Sequence, residues 1–181
     1  EHADASPGMT PSAYRRGGEG VRITYVIAAT RLGRVLIAAT ERGVCAVSLG
    51  DDDATLEAAL RREYPQAIIE RAADGMQQHV DEVVACVEGT ARDSRVPLDV
   101  QATDFQLRVW KALREIPPGE TRTYLEVARS IGQPSAARAV ARACASNRVA
   151  VLIPCHRVVR SDGDLSGYRW GVERKRLLLA A

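Results

Sequence analysis

The sequence predicts a mixed α/β (α+β) chain in two parts: a small N-terminal domain of antiparallel sheet plus helices, then a mostly α C-terminal domain. Three observations carry that expectation. The first half holds short β-branched runs joined by tight turns, while the second holds helix-periodic segments with recognisable caps. The charge divides at the same place. Residues 1–97 carry 11 arginines against 15 acids, a net −4, and residues 98–181 carry 14 Lys/Arg against 8 acids, a net +6. With 181 residues, 46% of them apolar, the chain is long enough for a real core.

Residues 1–20 mix Pro, Gly and charge without periodicity and read as a linker or a remnant of an upstream domain. "VRITYVIA" (21–28), "RVLIAAT" (34–40) and "VCAVSLG" (44–50) follow as three strands, with "TRLG" and "ERG" as the turns of a meander. "DDDATLEAALRREY" opens with acids suited to a helix N-terminus and spaces Leu56, Leu60 and Tyr64 four apart. A second helix over 75–88 sets Met76, Val80, Val83 and Val87 on one face, with Gly89 after it. The N-terminal domain thus spans 21–97, and "VPLDVQA" (96–102) leads into a C-terminal domain at 98–181.

There "TDFQ" (103–106) has the form of a capping box, and Phe105, Val109, Leu113 and Ile116 make one stripe that "PPG" ends. "TYLEVARSIG" predicts a short helix ending at Gly132. "QPSAARAVARACASN" predicts the next, with Ser135 as N-cap and Asn147 terminating it in the left-handed region. Helix, Gly-containing turn and helix make a winged-helix-like helix-turn-helix. Six arginines (129, 138, 142, 148, 157, 160) lie between Glu126 and Asp162 with no acid among them, which reads as a phosphate-binding surface. Arg138 and Arg142 stand one turn apart among alanines, so this helix suits close, sequence-tolerant contact better than base-code readout.

"VAVLI" (149–153) predicts a short strand that Pro154 ends, leaving Cys155 at its terminus with His156 beside it. Arg157 and Arg160 raise the local potential and favour thiolate, and His156 supplies a base. Adjacent residues on an extended chain point to opposite sides, so a water is expected to bridge the two. The other cysteines, Cys45, Cys86 and Cys144, form no CxxC pair, which argues for a reducing, cytoplasmic setting and against a disulfide framework. His79 and Cys86 are two possible ligands on one helix and make no metal site, so no metal is expected. No run approaches the ~18 apolar residues of a membrane span, and no signal peptide is evident.

"IPCHRVV" resembles the active-site signature of the O6-alkylguanine-DNA alkyltransferases, and the likeness extends over "PPGETRTY", "IGQPSAARAV", Asn147, "SGYRWG" and "KRLLL". It covers 98–181 closely and 21–97 more loosely. "GMTPSAYRRGG" (8–18) resembles the end of an AraC-type DNA-binding domain, an arrangement similar to that of the bacterial Ada proteins. The resemblance implies direct reversal of DNA damage. Cys155 would take a methyl or alkyl group from O6 of guanine, or O4 of thymine, in a single irreversible displacement on an extruded base. It further implies that His156 deprotonates Cys155 through a water, and that Tyr124 crowds the target phosphate and gives a proton to the departing guanine. Arg138 would enter the base stack, Ala136, Ala137, Ala139 and Ala141 would lie in the minor groove, and Arg142 would bind DNA beside them. Asn147 would support the turn that carries the thiol. Val158, Ser161 and Tyr168 would form the guanine pocket. By its bulk alone Trp170, in the loop beside that pocket, either narrows access to it or serves in packing. Alkylated double-stranded DNA is the implied partner of a monomer that needs no cofactor.

The family orients its histidine with a glutamate in the last helix. Glu173 comes too early for this, and the matching position falls just after Ala181. A cysteine hydrolase fits less well, because nothing announces an acyl groove. The remaining alternative is a damaged-DNA sensor or a transcriptional regulator module, against which Cys155 itself argues.

Overall fold

Thr10 caps a short helix in the computed structural model, which describes residues 9–91, 94–165 and 167–181. This helix, α1 (Pro11–Arg15), lies inside the expected linker. The segment is folded because it has apolar side chains to bury: Met9 and Ala13 are in the core, and Met9 N–H bonds to the buried Asp99 carboxylate. Residues 1–8, the rest of that expected linker, lie outside the described residues, as does Ser166 of "SGYRWG".

The three predicted strands are β1 (Arg22–Thr30), β2 (Gly33–Thr40) and β3 (Gly43–Gly50), paired antiparallel in sequence order. Asp52 caps α2 (Asp53–Glu63) by accepting from Thr55 N–H at 2.8 Å, and Leu56, Leu60 and Tyr64 are buried as their spacing predicts. The chain then adds β4 (Ile68–Arg71), parallel to β1, for a sheet order β3-β2-β1-β4. No strand is predicted there. "IIER" is short, and Ile68 is half exposed, so no apolar alternation marks it. Next comes α3 (Gln77–Glu88), closed by Gly89 in the left-handed region at φ 75°.

The second half contains α4 (Asp104–Arg114), with the Thr103–Gln106 capping box formed, then β5 (Arg122–Thr123), α5 (Tyr124–Ser130) and α6 (Ala137–Ala145). A 3-10 turn over Cys155–Arg157 leads into β6 (Val158–Val159), which pairs parallel with β5, and α7 (Val172–Leu179) ends the chain.

Both faces of β2 are buried, which is why its run does not alternate. Leu36 and Ala38 face α1 and α2 in one cluster with Ile23, Cys45 and Tyr64. Val35 and Ile37 face the other way, into a cluster that runs without a break through Val83 and Val87 to Val109, Leu113, Val140 and Leu178. The two halves therefore share a core. The outer edge of β3 is also used between them: Val44 bridges to Leu98, and Val47 bridges to Val149. That second bridge fixes the segment leading to Cys155.

Candidate active site

The predicted strand at 149–153 does not form. Only Val149 pairs, and the chain then coils, with Val151 at φ 62°, the single non-glycine positive φ among the described residues. A β-branched residue there stores ~1–3 kcal/mol of strain. Tight bonds hold the coil: Leu152 N–H to Ala150 C=O at 2.7 Å and Cys155 N–H to Ile153 C=O at 2.8 Å.

Asn147 organises this coil. Its Oδ1 accepts from Val149 N–H at 3.0 Å, and its Nδ2 donates to Ile153 C=O at 2.9 Å and to Cys155 Sγ at 3.2 Å. The side chain is fully buried, so each of these bonds replaces one lost to water. Asn147 is not the predicted left-handed terminator, because α6 ends at Ser146 with a right-handed C-cap. Ser135 is not the N-cap either: Gln133–Ala136 closes a turn first (Ala136 N–H to Gln133 C=O, 2.9 Å), and α6 starts after Ala136 without a side-chain cap.

Cys155 is 5% exposed, and burial pushes its thiol up. The Asn147 bond, Lys175 and Arg169 act against that, in this order. The arginines nearest in sequence point elsewhere. Arg157 donates to Ile116 C=O at 2.7 Å, and exposed Arg160 pairs with Asp162 at 3.6 Å.

Lys175 is the functional candidate that the sequence reading missed. It is 1% exposed, and its Nζ donates to Val158 C=O at 2.6 Å and to Leu165 C=O. Burial pushes its pKa down, while Cys155 pulls it back up. Its place one turn before the buried Leu178 was the available signal.

His156 is also 5% exposed, and its Nδ1 has no hydrogen-bond partner among the described residues. Burial first, then Arg157 and Lys175, pushes its pKa down to about 3, so the ring is neutral. A cavity of about 120 Å³ opens beside it, bordered by Cys86, Gly119, Leu178 and Ala181. That is room for water beside a polar atom.

Tyr124 starts α5, half-buried, behind the capping box of Thr123 and Glu126. Val158 is fully buried, with its carbonyl on Lys175. The Tyr168 hydroxyl is buried without a partner among the described residues, and burial together with the nearby Cys155 raises it well above the usual phenol range. Its ring stands edge-on to Trp170 at 5.2 Å. Trp170 is a core residue here, which gives its indole a packing role beside any effect on access. Ser161 is exposed at the turn after Arg160.

On α6, Arg138 and Arg142 are exposed, while Ala136, Ala137, Ala139 and Ala141 are half-buried. Of the six acid-free arginines, Arg148 and Arg157 are half-buried and bond within the protein, so the exposed basic set narrows to Arg129, Arg138, Arg142 and Arg160, the last of them paired with Asp162. Among the described residues no group of three or more His, Cys, Asp or Glu could hold a metal ion, and no helix is long and apolar enough to cross a membrane.

Residues 104–181 match the model of the 6-O-methylguanine DNA methyltransferase DNA-binding domain, and residues 23–100 match that family's ribonuclease-like domain. The chain is 52% identical over 177 residues to the bifunctional transcriptional activator/DNA repair enzyme Ada of Escherichia coli, covering 98% of this chain and 50% of that protein. It thus spans about half the length of the curated relatives it matches first. It is 38% identical to the inducible methylated-DNA–protein-cysteine methyltransferase of Bacillus subtilis, over 79% of this chain and 80% of that one. The crystal structure of Mycobacterium tuberculosis OGT in complex with DNA superposes with a TM-score of 0.71 at 34% identity, covering 88% of this chain and 91% of that one.

Proposed function

Because the chain belongs to the 6-O-methylguanine DNA methyltransferase family, we propose that it repairs DNA by moving a methyl or alkyl group from O6 of guanine onto Cys155 Sγ. The observation that carries this reading is the Asn147–Cys155 bond in a buried coil. A structural cysteine needs no amide donor aimed at its sulfur, whereas a sulfur that must become an anion does.

Burial keeps Cys155 a thiol until substrate arrives. His156, neutral because it is buried, takes the proton through a water. The Asn147 amide and the Lys175 and Arg169 charges stabilise the thiolate as it forms. Sulfur attacks the alkyl carbon in line, the S–C bond forms as the O6–C bond breaks, and guanine leaves with a proton that Tyr124 supplies. The thioether is stable and no group here removes it, so each molecule acts once. His156 Nδ1 requires an acceptor to hold the ring. An acceptor in the adjoining cavity, which Ala181 also borders, would meet it.

The target carbon lies inside a duplex, so the base must be extruded at a cost of a few kcal/mol. The half-buried alanines of α6 permit close approach to the minor groove, Arg138 fills the vacated stack, and Arg142 holds phosphate. Val158, Tyr168 and Ser161 line the guanine pocket. The degenerate minor groove suits a repair protein that must act in any sequence.

The test is stoichiometric. Incubation with a duplex containing O6-methylguanine should add one methyl per molecule, on the Cys155 peptide, and Cys155→Ser should abolish it. Binding without a mass change would identify a sensor instead, and multiple turnover would identify a hydrolase. A regulatory role in a longer protein is a compatible second reading, favoured by the span of half the length of the bifunctional E. coli relative.

A further inference from the structure

Arg148 follows the asparagine that holds the Cys155 sulfur, yet its side chain is only 27% exposed. Its Nε bonds to Glu63 Oε1 at the end of α2, and its guanidinium lies 5.0 Å over the Tyr14 ring in α1. The Tyr14 hydroxyl donates to the same carboxylate oxygen at 2.5 Å. The backbone here is held as well. Val47 N–H in β3 donates to Arg148 C=O at 2.9 Å, and Ala150 N–H donates back to Val47 C=O at 3.1 Å. Beyond the thiol, Arg169 donates to Asn147 C=O at 3.5 Å and influences both the Tyr14 phenol and the Cys155 thiol. Three elements of the first half therefore grip the turn on which the reactive sulfur depends.

An isolated, solvated ion pair would contribute little. This one shares its acceptor with a phenol, lies partly out of water and is stacked on a ring, so its members act as a unit. An apolar trio would pack such a site at less desolvation cost. Tyr14 also stands outside both stretches that match the family, so neither stretch's own core explains it.

We propose that Tyr14, Glu63 and Arg148 are positioning residues for Cys155: they fix the Asn147 turn so that its amide stays aimed at the sulfur. The device couples the N-terminal helix to the thiol, and the coupling runs both ways, so an alkyl group on Cys155 is felt at α1. The inference rests on Cys155 being the nucleophile.

The full chain and its variants Arg148→Ala, Arg148→Lys, Glu63→Gln and Tyr14→Phe would be compared in four measurements. These are the pH profile of Cys155 modification by iodoacetamide, the single-turnover rate on O6-methylguanine duplex, the Kd for duplex against salt, and Tm. Arg148→Ala should slow transfer about tenfold. It should also move the iodoacetamide profile to higher pH, because the amide bond that favours thiolate is loosened. Arg148→Lys should recover part of both effects, and Glu63→Gln combined with Arg148→Ala should be no slower than Arg148→Ala alone. Tyr14→Phe removes one oxygen from a half-buried ring and should shift both readouts in the same direction by less, so the test survives if the larger changes unfold the chain.

An unmoved profile and rate would overturn the proposal. So would a loss confined to Kd with a shallower salt slope, which makes Arg148 a phosphate contact, or losses that merely follow Tm. Failure of the parent reading looks different: the unmodified protein would leave methylated duplex untouched while the iodoacetamide profiles still separate the variants.

Discussion

His156 shows how one side chain ties the site to the stability of the fold. An unfolded histidine has a pKa near 6.5, and burial holds this one at about 3. Between those values the unfolded chain binds a proton that the folded chain refuses. The stability is therefore complete above pH 6.5 and declines as pH falls toward 3, by on the order of a few kcal/mol. Carboxylates such as Asp53, held low by the Arg34 bond, lose their contribution only below their ordinary value near 3.8. Unfolding free energy from urea denaturation at a series of pH values should accordingly begin to fall near pH 6, and His156→Asn should remove the early part of the slope while leaving the later part. Sequence alone marked His156 as a base beside a thiol. It could not reveal the burial that keeps the ring neutral, because exposure depends on where α7 packs.

At the scale of elements, the capping box was legible, while the caps expected of Ser135 and Asn147 do not form and burial geometry was not legible. "TDFQ" shows its capping box in the sequence, and "TYLE" repeats the same chemistry at Thr123 and Glu126. Thr123→Ala should cost about 1 kcal/mol by thermal melting. Because Tyr124 is the first residue of α5, the same change should slow methyl transfer more than it lowers affinity for DNA. Equal losses in rate and affinity would mean that α5 serves binding alone. The predicted strand at 149–153 misled for the opposite reason. Its β-branched residues do favour extension, but the Asn147 amide captures Val149 N–H and Ile153 C=O and bends the chain between them. A side chain several residues away thus outweighs local propensity.

Across the whole molecule, the two halves meet at the edge of β3, where Gly43 packs tightly on the segment that joins them. A Cβ there would lie 2.4 Å from the Pro97 carbonyl oxygen. The neighbouring bonds, Val44 N–H to Pro97 C=O and Asp99 N–H to Val44 C=O, both at 2.8 Å, leave that segment no room to retreat. Gly43→Ala should therefore destabilise the fold by about 2 kcal/mol or more in urea denaturation. The glycine was visible in "ERG" as a turn residue, but its role at the junction was not.

By itself the sequence determined the class of the fold, the order of three strands and most helices, and it singled out Cys155 and His156 as the candidate pair, since these follow from local periodicity, caps and one distinctive motif. Tertiary structure alone decided that β4 joins the sheet, that residues 9–20 fold against it, and that Lys175 and Arg169 rather than Arg157 and Arg160 act on the sulfur. The physical reason is distance through space. Electrostatics and burial depend on which residues converge, and here those residues are far apart along the chain.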